Sequence, residues 1–210
     1  MQSSHHEPGT LTPQQSWGAI HETMEEARSS MYVAGTSTIL LLWGFIVSLG
    51  FASQYATETL APEFASTNPW FAGPLWGVLA IAGMLGSAII GHRAGREKAV
   101  GDVARNAGIK VFLFWLSVAA AALLVPAAAG MWNEDSGANI PHVAIGIVAL
   151  GYILFGIMSR PVIAAVGVGI AAAFYVPGYL AGDAALAVSA VAMLAIAVLG
   201  AVWIRRSGIL

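Results

Sequence analysis

The chain has 210 residues, 58% hydrophobic and only 10% charged, against about 45–50% and about 25% in ordinary soluble domains, so it cannot cover itself with polar side chains in water. A formal net charge of −2 provides no broad basic surface for a polyanion, which excludes a nucleic-acid partner. With no cysteine, disulfides, thiolate metal sites and cysteine nucleophiles are excluded together.

Residues 1–12, "MQSSHHEPGTLT", read as a disordered polar tail that includes His5 and His6. They lack the charged start and short apolar core of a signal peptide. Over 13–30 the spacing predicts a cytoplasmic amphipathic helix. Thr12 or Pro13 can start it, Trp17, Ile20 and Met24 recur at helical spacing, and Glu22, Glu25, Glu26 and Arg28 occupy much of the rest. An acidic face is repelled by anionic lipid, so Trp17, Ile20 and Met24 are read as docking on a membrane or cytoplasmic protein. The chain's own basic segment, through Arg93, Arg96 and Lys98, is one such surface.

Six apolar runs follow, at 31–51, 70–91, 109–130, 142–158, 161–180 and 185–204. Each has about the 17–25 residues that cross a hydrocarbon core, and none alternates in polarity as barrel strands do. The expected fold is therefore all-α, a polytopic transmembrane bundle of six spans over 31–204 with a short cytoplasmic tail at 205–210.

In span one, Trp43 reads as packing, as does Trp115 in span three. Trp70, Trp76, Trp132 and Trp203 read as interfacial anchors. Span two carries Gly83, Ser87, Gly91 and Gly95 at intervals of four, and span five carries Ala165, Gly169 and Ala173. Both stripes are read as helix-packing surfaces where another backbone approaches, and second as faces for a homo-oligomer. Gly146, Gly151 and Gly156 of span four recur at intervals of five and drift around the helix. Pro126 and Pro177 are expected to break or kink spans three and five.

The stretch "GHRAGREKAVGDVARNAGIK", 91–110, holds Arg93, Arg96, Lys98, Arg105 and Lys110, five of the nine basic residues. Threading six spans puts these with Arg28, Arg160, Arg205 and Arg206 on one side, and leaves only Glu58, Glu63, Glu134, Asp135 and Asp183 on the other. The positive-inside bias then places both termini in the cytoplasm, in a cell (inner) membrane. The basic residues serve as topogenic charges at the lipid headgroups.

No Asp, Glu, Lys or Arg falls in the middle of a span, which weakens ion-coupled transport. His92 and His142 fall at opposite ends of their spans and cannot share a haem. Ser87 and His142 are likewise too far apart for a nucleophile and its base. Lys98 and Lys110 are the only lysines, so no retinal Schiff base forms deep in a span. No catalytic residue, metal site or cofactor is identified, and no enzymatic activity is expected.

The order "MEEARSSMYVAGTSTILLLWGFIVSLG", a basic second loop, and "GIMSRPVIAAVGVGIAAAF" resembles a family of small multi-pass bacterial membrane proteins. In that family an amphipathic N-terminal helix precedes an "LLWG" first span, here Leu41, Leu42, Trp43 and Gly44, and a basic-Pro turn, here Arg160 and Pro161, joins two later spans. The resemblance implies the topology and supplies no activity. Two functions remain: a non-enzymatic sensory, scaffolding or regulatory membrane component, or a small transporter or channel for a neutral solute built from two inverted sets of three spans.

Overall fold

The computed structural model describes residues 12, 16–18, 35–97, 102–133 and 136–206, without the side chains of 94–97, 102–105, 107 and 138. Six long helices dominate it: α1 (Thr36–Leu60), α2 (Ala72–Glu97), α3 (Asp102–Ala128), α4 (Ile140–Met158), α5 (Pro161–Leu180) and α6 (Ala185–Arg206). Each of the six spans is long and apolar enough to cross a membrane, and the described residues contain no strand. Helices satisfy their own backbone groups where a bilayer offers no partner. The chain is thus an all-α, multi-pass membrane protein.

Helix boundaries follow local chemistry more closely than the apolar runs do. Residues 31–34 lie outside the described set, and α1 continues past Phe51 to Leu60. Its polar end satisfies itself: Gln54 Nε2 donates to Glu58 Oε1 at 3.0 Å and Thr57 Oγ1 to the Ser53 carbonyl at 2.8 Å. A short helix, Pro62–Thr67, and a 3-10 turn, Pro69–Phe71, then lead into α2, each with proline in its first turn, where the missing amide costs nothing.

Of the break or kink expected at Pro126 and Pro177, the break does not occur, because both prolines sit inside continuous helices. Each falls in a last turn, so it removes one hydrogen bond and then the helix ends. After Pro126 the ending is a Schellman motif. Gly130 takes φ +68°, its amide donates to Ala127, and the Met131 amide reaches back to the Pro126 carbonyl at 2.9 Å. At the other end of the sequence, α6 runs through Arg205 and Arg206, which were expected to open a tail.

Packing runs in one antiparallel series, α2–α1–α6–α5–α4–α3. Gly44 of α1 lies against Ala197 of α6, Gly200 of α6 against Leu40 and Val166, and Gly169 of α5 against Ile196. Leu40, Val162, Ile163, Val166, Ala197 and Ile204 form one core cluster. Phe51, Ala173, Phe174, Ala190 and Met193 form another. The core therefore belongs to α1, α5 and α6, with α4 leaning on it through Tyr152 and Phe155. Although consecutive in the chain, α2 and α3 take opposite ends of the series.

This alternation sorts the charges. Arg93, Lys110, Arg160, Arg205 and Arg206 gather at one end of the bundle, and Glu58, Glu63 and Asp183 at the other. These are the basic and acidic ends below.

Candidate functional site

The stripe on α2 receives an indole ring, not a backbone. A Cβ at Gly83 would stand 2.8 Å from the ring of Trp43, and Trp43 Nε1 donates to Ser87 Oγ at 3.0 Å. One ring thus needs both the missing side chain and the hydroxyl, since its N–H finds no water in hydrocarbon. Neighbouring Gly86 receives Leu42, and Gly50 of α1 receives Trp76 of α2 in return. Gly91 corrects the sequence reading: a Cβ there meets nothing within 4 Å, so among the described residues the packing stripe ends at Ser87, and the surroundings of Gly95 lie outside them.

The second stripe also divides. Gly169 faces Ile196 and Ala173 is in the core, but Ala165 is exposed. Residues four apart rotate by about 40° at each step, enough over two steps to carry Ala165 off the contact face. Close backbone approach occurs instead between α4 and α5. Gly156 lies directly against the Ala164 backbone, and a Cβ at Gly167 would stand 2.8 Å from the Ala149 carbonyl oxygen. Sequence reasoning missed these. A usable signal was present, because Gly156 and Ala164 are equidistant from Arg160 in the Ser159–Arg160 join. Such a tight connection forces the residues on either side together.

The drift expected for span four is what the neighbours record: Gly146 faces Tyr175 of α5, whereas Gly151 faces Val118 of α3. Toward the acidic end the rings of Phe51, Trp76, Phe174 and His142 pack at 5.1–5.4 Å, and the Tyr175 hydroxyl donates to the His142 carbonyl at 2.5 Å. Ser87, engaged with Trp43, and His142 are not brought together.

At the basic end, Arg93, Lys110, Arg205 and Arg206 are exposed and Arg160 is half-buried. Arg205 Nε donates to Ser37 Oγ at 3.4 Å, tying the end of α6 to the start of α1. The side chains of Arg96 and Arg105, and all of Lys98, lie outside the described residues. In the N-terminal segment, 16–18 are helical, the Ser16 amide donates to the Thr12 carbonyl at 2.8 Å, and Trp17 is exposed. Ile20, Met24 and Arg28 lie outside the described residues, as do the tails at 1–11 and 207–210.

Between α3 and α4 lies an aromatic seam. Trp115 packs with its ring centroid 4.5 Å from Tyr152 and 5.8 Å from Phe155, the planes tilted, and Phe114 lies 5.4 Å from Phe155. The outer flanks of α2 and α3 are apolar stripes, Val78, Ile81, Leu85 and Ile89 on one and Ile109, Phe112, Leu113 and Leu116 on the other. In a bilayer such stripes contact lipid. Among the described residues no group of three His, Asp or Glu could hold a metal ion. What the arrangement offers is surface, of helices α2 and α3 above all, and a charged end. No family model, curated protein or solved structure matches the chain.

Proposed function

We propose that this protein is a non-enzymatic scaffolding or regulatory component of the cell's inner membrane, and that its α2 and α3 flanks receive a partner's transmembrane helix. One observation carries the reading. Only 6% of the apolar window of each of these spans is buried, against 39% for α5 and 33% for α6. Among the described residues each packs along one neighbouring span, and between them in sequence lies the basic segment. A photo-reactive residue at Ile81 or Leu116 is expected to yield a discrete protein adduct in cells, whereas one at Val191, more exposed than either and on α6, yields lipid alone. An adduct of twice the chain mass identifies a second copy as the partner. Lipid adducts alone at every position overturn the reading.

The proposed orientation puts the basic end and both termini in the cytoplasm, following the positive-inside bias. The cysteine-free chain allows single cysteines to be probed with an impermeant thiol reagent in intact cells. Gly182→Cys is expected to label and Ala94→Cys to stay protected; the reverse pattern inverts the topology.

A second reading, a transporter or channel for a neutral solute, draws on a partial symmetry of the packing. Exchanging α1–α3 with α4–α6 maps the α1–α6 seam onto α4–α3 and the α1–α2 seam onto α4–α5, as inverted repeats would. Adducts confined to lipid, together with solute-dependent swelling of proteoliposomes, would favour it.

A further inference from the structure

We infer that the corner of the basic end where α1, α5 and α6 meet is a docking surface for an anionic phospholipid, with Arg206 at its centre. Helix register builds the corner. Across α5 and α6, Gly169 lies against Ile196 and Gly200 against Val166, and extending that antiparallel register brings Arg160, at the start of α5, level with Arg205 and Arg206. Across α1 and α6, Gly44 lies against Ala197 and Gly200 against Leu40. The same extension brings Ser37 level with Arg205, and there Arg205 Nε donates to Ser37 Oγ at 3.4 Å.

Three arginines thus stand at one height on adjoining helix ends, and no Asp or Glu with a described side chain shares that end of the bundle. Like charges so gathered repel one another, and an anion among them relieves the repulsion. The helix ends add to this. Both α1 and α5 begin here without a side-chain cap, each contributing about +0.5 of a charge, against about −0.5 from the end of α6. Arg205 gives its Nε–H to Ser37, whereas Arg206 is exposed and donates to no described residue. Its planar guanidinium matches two oxygens of a phosphate.

What lies below Arg206 narrows the ligand. Trp203, Val202 and Leu199 come three, four and seven positions before it on the same face of α6, and all three are exposed. The surface therefore sets a cationic group at the membrane boundary above an apolar strip. A soluble phosphate engages only the first. An anionic phospholipid engages both, its phosphate on Arg206 and an acyl chain along Trp203 and Leu199, with the indole at the interface where such rings are favoured. A zwitterionic lipid brings its own cation among the arginines, which cancels the gain. The surface goes beyond the partner-docking proposal and does not rest on it, because α6 is there the lipid-facing control.

The test uses the full chain in neutral detergent, with bound lipid counted by native mass spectrometry during titration with phosphatidylglycerol or with phosphatidylcholine of the same acyl chains. About one phosphatidylglycerol per chain should be retained in preference to phosphatidylcholine. Arg206→Gln removes a group with no described contact, so the thermal midpoint in lipid-free detergent should stay where it was. Phosphatidylglycerol should then bind about 5-fold more weakly, the effect of one basic residue near anionic lipid. Arg206→Lys keeps the charge and should recover most of the loss. Lys110→Gln removes the same charge from α3, three places along the helix series from α6, where screening ends its reach, and should leave binding unchanged. Equal retention of the two lipids, or of neither, overturns the proposal by denying recognition of charge. An equal loss in Arg206→Gln and Lys110→Gln overturns it by leaving only diffuse attraction to the net charge. Displacement of the lipid by millimolar inorganic phosphate overturns it by making a soluble anion the ligand.

Discussion

The pair α5–α6 and the pair α2–α3 occupy corresponding places in the two halves of the chain, yet the first packs along its length and the second shares no seam. All four helices are apolar enough to span a membrane. The difference lies in where small residues meet large ones. Gly169 of α5 takes Ile196, and Gly200 of α6 takes Val166, so the two surfaces interlock. On α2 the small positions Gly83, Gly86 and Ser87 are already filled by Trp43 and Leu42 of α1. Elsewhere both present bulky apolar side chains, Ile81, Leu85 and Ile89 on one and Phe112, Leu113 and Leu116 on the other, while Gly73 and Gly77 of α2 face open space. Lipid tails are as apolar as leucine, so such faces gain nothing by meeting unless their shapes fit. Apolarity brings a helix into the bilayer, and the distribution of small residues decides what it touches there.

The sharpest way to break this contrast is a glycine series. Gly156→Leu drives a side chain into the backbone of Ala164, where nothing flexible can give. A loss of about 3 kcal/mol is expected, the upper part of the usual range for overpacking. Gly83→Leu meets the end of the Trp43 side chain, which can rotate away, and should cost about 1–2 kcal/mol. Gly91→Leu meets open space and is expected to change little. Reversible unfolding in mixed micelles measures all three. A Gly91→Leu loss as large as that of Gly156→Leu would mean that α2 is packed where the structure leaves it open.

The same residues show how far the sequence could be read. Six runs of apolar length predict six helices because the bilayer imposes a minimum span and demands internal hydrogen bonding, and both constraints are local. The end of α1 was missed because Gln54, Thr57 and Glu58 look like a loop by polarity, while their side chains bond within the helix. Spacing by four found Gly83 and Ser87, but the expected backbone contact is an indole ring, and the same rule wrongly included Gly91 and Ala165. Periodicity reports which residues are small and share a face. It carries no information about what stands opposite, which depends on the order of helices in the bundle. The aromatic seam was harder still, since Trp115 and Tyr152 are 37 positions apart and only the packing of α3 on α4 makes them neighbours.

The smallest effect expected, and the one that sharpens the comparison most, comes from the hydrogen bond between Trp43 and Ser87. It is the side-chain hydrogen bond within the α1–α2 seam, whereas the α5–α6 contacts named above join aliphatic side chains to glycine. Interhelical hydrogen bonds in membrane proteins average about 0.6 kcal/mol by double-mutant cycle, because the unfolded chain in the membrane also finds partners. Ser87→Ala removes the acceptor and nothing of the shape around it. Trp43→Phe removes the donor but also part of the ring that fills Gly83, so its single effect mixes packing with polarity and should be the larger. The coupling between them isolates the bond, and a value near 0.6 kcal/mol is expected from unfolding of the parent, both single variants and the double variant. A coupling above about 2 kcal/mol would show that polarity, not the fit of the ring to Gly83, holds α2 in place. A coupling indistinguishable from zero would leave α2 attached to α1 through shape alone, through the fit of Trp43 to Gly83 and of Leu42 to Gly86.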